Sequence, residues 1–554
     1  MSKSVAAKIW SALYEWSDGS FSSAPQPTTS GNKFPLTYAL AISGDASGSQ
    51  QLPPTPYSSQ VSGNQISSSG FFSTGTYGTD PCAWAGRYDA ALIGGNWEGA
   101  DDSGIYDRAL LVDAIKQICG LQSPYSPTYC IQYDMLESMQ TATITTPTSG
   151  YSRNASLANQ VNVLRSWLYS AASQGGSIVT GPPGSPSPIG ETDWAVNIGT
   201  DSQYSPGRGT AHYNGLSEDF PQFAAAYHSD IHYVRQTQVV TVVSGTILAA
   251  AYKDPRFYPL SSGYSNNDAN KAPNMDAIYY DNSFCYPRYT GYYDLVNSYT
   301  ANAYGTSMGP AMARGLQHAY ARFKAIMAAA FPARSYGAGG NIGVSLLYIW
   351  QNESSAFFNS VIAQLGSIDH ALFENVIAAS GGTFESAYGT NQLILGLQAV
   401  ISGLSITVPA MAISPASATD YQTMRYGLAV AAMAGAYCAG GISYKVSDAM
   451  WPDEQGGNPG TNIPKSWLGV PAGPAPTAPA INGIWARQFT NGVALCNPAG
   501  NSGQSITLAQ INSYFGTSLT LGYFVGVQNP SLNSGATFSS WSPASKDGLF
   551  LLKG

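Results

Sequence analysis

Charge is scarce in this chain: Asp, Glu, Lys and Arg together supply 10% of its 554 residues, where about a quarter is usual. The 24 basic residues form no cluster and the formal net charge is −8. A nucleic-acid binder needs a basic stripe or patch, so DNA and RNA are excluded as partners. Histidine is rarer still, with five in all. His228-Ser-Asp-Ile-His232 sets two imidazoles one helical turn apart, but Ser229 stands where a zincin carries its Glu, and no third ligand is evident. No metal site is expected.

The six cysteines, at 82, 119, 130, 285, 438 and 496, show no C-x-x-C spacing, which excludes a zinc ribbon and a thioredoxin-like centre. A disulfide among Cys82, Cys119 and Cys130 stays open. No apolar run reaches the roughly 18 residues of a membrane span; the nearest, from Gly427 to Ile442, reads as a buried helix of small residues. Membrane insertion is not expected. The start, Met1-Ser-Lys-Ser-Val-Ala-Ala-Lys, has no uninterrupted apolar segment, so no conventional secretory signal is recognised. Gly337-Ala-Gly-Gly-Asn-Ile-Gly is glycine-rich but lacks the Lys, and the preceding strand, of a phosphate-binding loop. No cofactor is expected.

What fills the space left by charge is Gly, Ser, Thr, Asn and aromatic residues, including 36 Tyr and 11 Trp. Hydroxyl and amide groups match sugar hydroxyls, and aromatic rings stack on sugar faces. The bias therefore points to a carbohydrate partner, such as a bacterial surface or extracellular polysaccharide, and to an extracellular or virion-associated setting. Any single Tyr or Trp is more simply a core or loop residue.

Apolar runs alternate with amphipathic stretches through most of the chain, the pattern of a parallel sheet with crossover helices. Strands are expected at 34–42, 88–94, 129–135, 275–280, 342–350, 370–376, 406–413 and 442–446, and helices at 106–119, 157–173, 311–330, 355–365, 391–402 and 423–439. This predicts an α/β fold, a (β/α)8 TIM barrel over 1–469 with long insertions at about 44–84 and 141–274. A proline-rich linker follows at 470–482, then a small all-β, sandwich-like domain at 483–554, read from short alternating runs such as Gly492-Val-Ala-Leu-Cys-Asn.

Barrel enzymes carry their chemistry at the C-terminal ends of strands. In Met275-Asp-Ala-Ile-Tyr-Tyr-Asp-Asn, alternation sets Ala277, Tyr279 and Asp281 on one face, with Asp281 at the end. Two units later, Asp369-His-Ala-Leu-Phe-Glu brings Glu374 to the end of the sixth strand. Glycoside cleavage needs such a pair, one acid and one nucleophile or base. Glu385 and Glu353 are the alternative acids, each also readable as an acid placed to suit a helix dipole. Acids beside aromatics suggest sugar contacts at Trp97 and Glu98, Tyr133 and Asp134, Tyr279, Trp350, and Asp453 and Glu454. A solvated loop acid beside a core ring is an equally good reading of each taken singly.

Three barrel segments, Asp276-Ala-Ile-Tyr-Tyr-Asp-Asn, Arg425-Tyr-Gly-Leu-Ala and Asp453-Glu with Leu468-Gly-Val-Pro-Ala-Gly, carry a resemblance, as does the C-terminal run Gly483-Ile-Trp-Ala-Arg-Gln-Phe with Lys546-Asp-Gly-Leu-Phe-Leu-Leu. Together, over roughly the last half of the chain, they resemble a glycoside hydrolase family with an α-galactosidase-like (β/α)8 barrel and a C-terminal β domain. The resemblance implies a retaining mechanism with a strand-four nucleophile, falling on Asp281, and a strand-six acid/base, falling on Glu374. The N-terminal half departs from it. The alternative is a non-hydrolytic glycan-binding protein, such as a receptor-binding or decoration protein of a phage particle.

Overall fold

The computed structural model describes residues 33–41, 88–93, 128–135, 276–281, 335–417, 419–440, 453–456, 465–526, 528–529 and 531–554. It also describes strand pieces at 61–62, 65–66, 138–140, 196–197 and 210–212, and helical positions 313, 317, 320 and 324. The sequence-predicted helices at 106–119 and 157–173, most of both insertions, Trp97, Glu98, His228 and His232 lie outside the described residues.

Eight parallel strands form one curled sheet: β1 (Tyr38–Ala41), β2 (Ala90–Ile93), β3 (Tyr129–Met135), β4 (Ala277–Asp281), β5 (Gly337–Gly340), β6 (His370–Ala378), β7 (Val408–Ser414) and β8 (Tyr437–Gly440), in that spatial order. The outer strands meet, with Thr37 bridging Cys438 in parallel and the Cys438 N–H donating to Leu36 O at 2.9 Å. The expected α/β barrel is therefore present. After the barrel comes a four-stranded antiparallel sheet, β9 (Trp485–Gln488), β10 (Gly492–Asn497), β14 (Asp547–Lys553) and β12 (Leu521–Tyr523). A two-stranded pair, β11 (Ile506–Thr507) with β13 (Ser540–Trp541), stands beside it.

Two strands differ from the sequence expectation. The fifth is the Gly-Ala-Gly-Gly segment, and the apolar run expected as that strand is helix α1 (Gly343–Asn352). The eighth is Tyr437–Gly440, taken from the end of the helix expected over 423–439. Helix α5 (Tyr421–Ala434) stops because Gly435 turns into the left-handed region at φ +84°, which costs glycine nothing. The remaining described helices are α2 (Ser355–Leu365), α3 (Phe384–Tyr388), α4 (Thr390–Leu404) and α6 (Leu508–Phe515). Side-chain caps from Ser354, Thr383, Asp420 and Thr507 start α2, α3, α5 and α6.

Strand register sorts the barrel residues into two faces. Phe373 lies against Gly343 of α1 and Ile413 against Gly427 of α5, so that parity faces the helices. The alternate residues face the interior, where Tyr38, Tyr129, Tyr279, His370, Leu372 and Tyr437 are buried. The interior is thus a packed core, as barrels of this size require. Burial raises the phenol pKa of Tyr38, and that of Tyr437 with a smaller push from Asp89, so both stay neutral. Glycine at 337 makes room for these rings, since a β-carbon there would collide with the Tyr129 hydroxyl. The N-terminal end is closed by hydrogen bonds: Asp89 Oδ2 accepts from Thr37 N at 2.8 Å, and Lys465 Nζ donates to Tyr88 O at 2.6 Å.

Period-two alternation builds the C-terminal sheet between two cores. Trp485, Ala494, Cys496 and Phe550 join the barrel core, while Ala486, Val493, Leu495, Leu549 and Leu551 pack with Ile506, Ile511, Phe538 and Trp541. Each large apolar side chain so buried contributes about 1.5–3 kcal/mol. The 470–482 connector runs along this sheet, with Ala472 N donating to Gln488 O and Gln398 Nε2 to Pro476 O, both at 2.9 Å. Cys130 is buried and its thiol donates to Thr128 O at 3.6 Å; Cys438 and Cys496 are free and buried.

Candidate active site

The C-terminal ends of β4 and β5 and the middle of β6 carry three polar residues, Asp281, Asn341 and Glu374. Pairing of Gly339 with both Tyr279 and His370 fixes the register of these strands. Asp281 closes β4. Asn341 follows Gly340, which pairs with Tyr280, and so stands level with Asp281 across the next strand. Glu374 lies on β6 at the parity of His370 and Leu372, the interior face. Asn341 Nδ2 donates to Glu374 Oε2 at 2.6 Å; Asn341 is buried and Glu374 half-buried. A register shift between Phe373 and Ile377 in the pairing with β7 falls on this stretch. Irregularities of this kind re-aim side chains next to functional sites.

One layer below, the rings of Tyr279 and His370 stack across Gly339, with centroids 5.8 Å apart and planes 19° from parallel. A β-carbon at 339 would collide with the His370 carbonyl. His370 is 1% exposed, and neither ring nitrogen has a hydrogen-bond partner among the described residues. Desolvation therefore pushes its pKa down to about 3, and it is a neutral imidazole in the folded protein. Tyr279 is fully buried and forms part of this floor.

The other sequence-predicted residues lie elsewhere. Tyr133 pairs with Tyr279, at the interior parity, whereas Asp134 pairs with Tyr280, at the opposite one. Trp350 lies on α1 and meets Gly396 of α4, between two helices. Glu353 caps the C-terminus of α1, roughly 15 Å of helix from its start. Glu385, in the first turn of α3, is 1% exposed and accepts hydrogen bonds from Tyr426 Oη at 3.1 Å and Lys546 Nζ at 2.5 Å. Its carboxylate thus joins the barrel to the C-terminal sheet. Asp453 and Glu454 do the same: Asp453 Oδ2 accepts from Gln528 N at 2.7 Å, and Glu454 Oε1 accepts from Asn533 Nδ2 at 3.0 Å with Arg425 Nε 3.9 Å away. Arg425 also donates to Asp547 Oδ1 at 3.0 Å. Burial raises the pKa of Glu454 and Asp547, and Arg425 opposes this in both.

Asn341 and His370 are the two residues of this region that sequence reading passed over. Asn341 carries a signal in the sequence once Gly-Ala-Gly-Gly is taken as a strand, because it is then the first side chain at the strand's C-terminal end. Among the described residues no group of three His, Cys, Asp or Glu is arranged to hold a metal ion. No described helix is long and apolar enough to cross a membrane.

Fold and site together define an eight-stranded parallel α/β barrel with a half-buried carboxyl, Glu374, midway along its sixth strand, followed by antiparallel β-sheets. No family model and no curated protein matches the chain.

Proposed function

We propose that the chain is a glycoside hydrolase that cleaves a polysaccharide or oligosaccharide by a retaining mechanism, Asp281 acting as nucleophile and Glu374 as acid/base. The observation that carries this reading is that Asp281 ends strand four, Glu374 lies midway along strand six, and Asn341, the first residue after strand five, stands between them in strand order with its Nδ2 2.6 Å from the Glu374 carboxyl. The resemblance to α-galactosidase-like barrels assigns the two roles to those same strands. In the first step the Asp281 carboxylate attacks the anomeric carbon while the Glu374 proton passes to the glycosidic oxygen, and the carbon–oxygen bond breaks. In the second, Glu374 takes a proton from water, whose oxygen attacks the anomeric carbon and releases Asp281. The charge-poor surface suits a neutral glycan of a bacterial surface or extracellular matrix, and an extracellular or virion-associated place of action.

The test is a screen of bacterial surface polysaccharides with reducing-end detection, run beside Asp281→Asn. This substitution keeps the shape and removes the charge that forms the glycosyl intermediate. Turnover should fall at least about a thousandfold with unchanged thermal unfolding. Near-normal turnover by Asp281→Asn would eliminate it as nucleophile. Tight glycan binding without release of reducing ends from any substrate would replace hydrolysis by the binding-protein reading.

A further inference from the structure

The contact between Asn341 and Glu374 has a direction. The Asn341 amide nitrogen only donates, so Glu374 Oε2, 2.6 Å from it, is the acceptor in either protonation state. In the neutral carboxyl the proton then sits on Oε1. In the carboxylate, the same contact becomes a charge-assisted hydrogen bond, roughly twice as strong as a neutral one. The backbone that carries Asn341 is held on both sides: β5 ends at Gly340, α1 begins at Gly343, and Ile342 N donates back to Gly340 O at 2.9 Å. Asn341 is 2% exposed, so water competes little for it.

Resting on the glycosidase reading above, we propose that Asn341 is the positioning residue of the acid/base step. It fixes Oε1 of Glu374 as the oxygen that delivers the proton. As that proton passes to the glycosidic oxygen and the carbon–oxygen bond breaks, negative charge appears on Glu374, and the Asn341 contact strengthens with it. An interaction stronger in the transition state than in the ground state lowers the barrier to the chemical step, whereas a merely structural contact does not. Asn341 touches neither the substrate nor the reacting atoms; it acts through Glu374.

Two measurements on the full chain test this. In nitrogen-15 NMR spectra, the Asn341 side-chain amide is identified by its loss in Asn341→Ser. One of its protons should move downfield as rising pH ionises Glu374 in the parent, and should not do so in Glu374→Gln, whose acceptor cannot ionise. In kinetics on a glycan found by the screen, Asn341→Ser should lower kcat about tenfold with KM little changed. In the Glu374→Gln background the same change should cost nothing further, because its effect passes through the missing carboxyl. An amide pH response unchanged by Glu374→Gln or missing from the parent, or equal proportional losses from Asn341→Ser in both backgrounds, would overturn the proposal. A chain that turns over no glycan while the amide responds as expected would overturn the glycosidase reading, and the catalytic role with it, leaving the contact as structure alone.

Discussion

Lys546, the residue before the last strand, reaches Glu385 in the first turn of α3, placing its Nζ 2.5 Å from Oε2 across 161 residues of sequence. The Glu385 side chain is fully buried and that of Lys546 is 37% exposed. Tyr426 Oη, 2.6 Å from Thr390 Oγ1, donates to the other carboxylate oxygen, and Ala499 N donates to Thr390 Oγ1 at 3.0 Å. One chain of polar contacts therefore ties α3, α4 and α5 to the C-terminal sheet.

Removing one partner of this pair should destabilise the fold and leave any chemistry alone. Lys546→Met strands a buried carboxylate. Breaking a fully buried pair costs about 3–5 kcal/mol, and the exposure of Lys546 lowers the expectation to about 1–3 kcal/mol. Denaturant unfolding should show the loss, while turnover of the folded protein stays within about twofold. A variant as stable as the parent would show that the contact is not formed in solution.

His370 predicts a pH-dependent stability. Its folded pKa, near 3, lies below the 6.5 of an exposed imidazole because its site is dry. Between those values the unfolded chain binds a proton that the folded one does not, so stability falls as pH falls through this window. Above about pH 7 both states are neutral and the contribution is flat. His370→Phe keeps a ring against Tyr279 and removes the titration. The difference in unfolding free energy between parent and variant should change with a limiting slope of about 1.4 kcal/mol per pH unit between pH 6 and 3.5, the parent losing more. Parallel curves over that range would show that His370 reaches water or a partner.

The strands that could be read from sequence are those with side chains to show. β3 carries Tyr129, Ile131, Tyr133 and Met135 at period two and runs where expected, and β6, read from its apolar runs, starts where expected and continues to Ala378. β5 carries none: Gly337-Ala-Gly-Gly has no pattern to see, and a β-carbon at 337 or 339 would collide with the Tyr129 hydroxyl or the His370 carbonyl. The run after it reads as a strand because Val344, Leu346, Leu347 and Ile349 are all buried in α1, which leaves no polar stripe to reveal a helical period. Strand β8 hides in the same way behind the small residues of α5, although Gly435 marks the stop. Local alternation located the end of β4 at Asp281, whereas Glu374, expected at the end of its strand, lies mid-strand because β6 continues to Ala378. The partners of Glu385, Asp453 and Glu454 were not visible in the sequence, since Lys546, Gln528 and Asn533 stand 161, 75 and 79 residues away and only the folded chain brings them together.

The reading of Glu374 as acid makes a prediction that depends on the leaving group. Protonation matters most when the departing sugar oxygen would otherwise leave as an alkoxide, and little when an activated aryl group leaves as a stable phenolate. Glu374→Gln keeps an oxygen within reach of Asn341 Nδ2, now 2.6 Å from Oε2, but supplies no proton. It should slow hydrolysis of the natural glycan by about 100-fold or more and of an activated aryl glycoside by less than about tenfold. The two rates should be compared in one buffer with the Asp281→Asn variant alongside, because loss of the nucleophile slows both substrates alike. Equal slowing by Glu374→Gln would remove it as the acid. The leaving-group pattern appearing in Glu385→Gln instead would move the acid to Glu385, and would require Lys546 to release that carboxyl, which the 2.5 Å contact between them opposes.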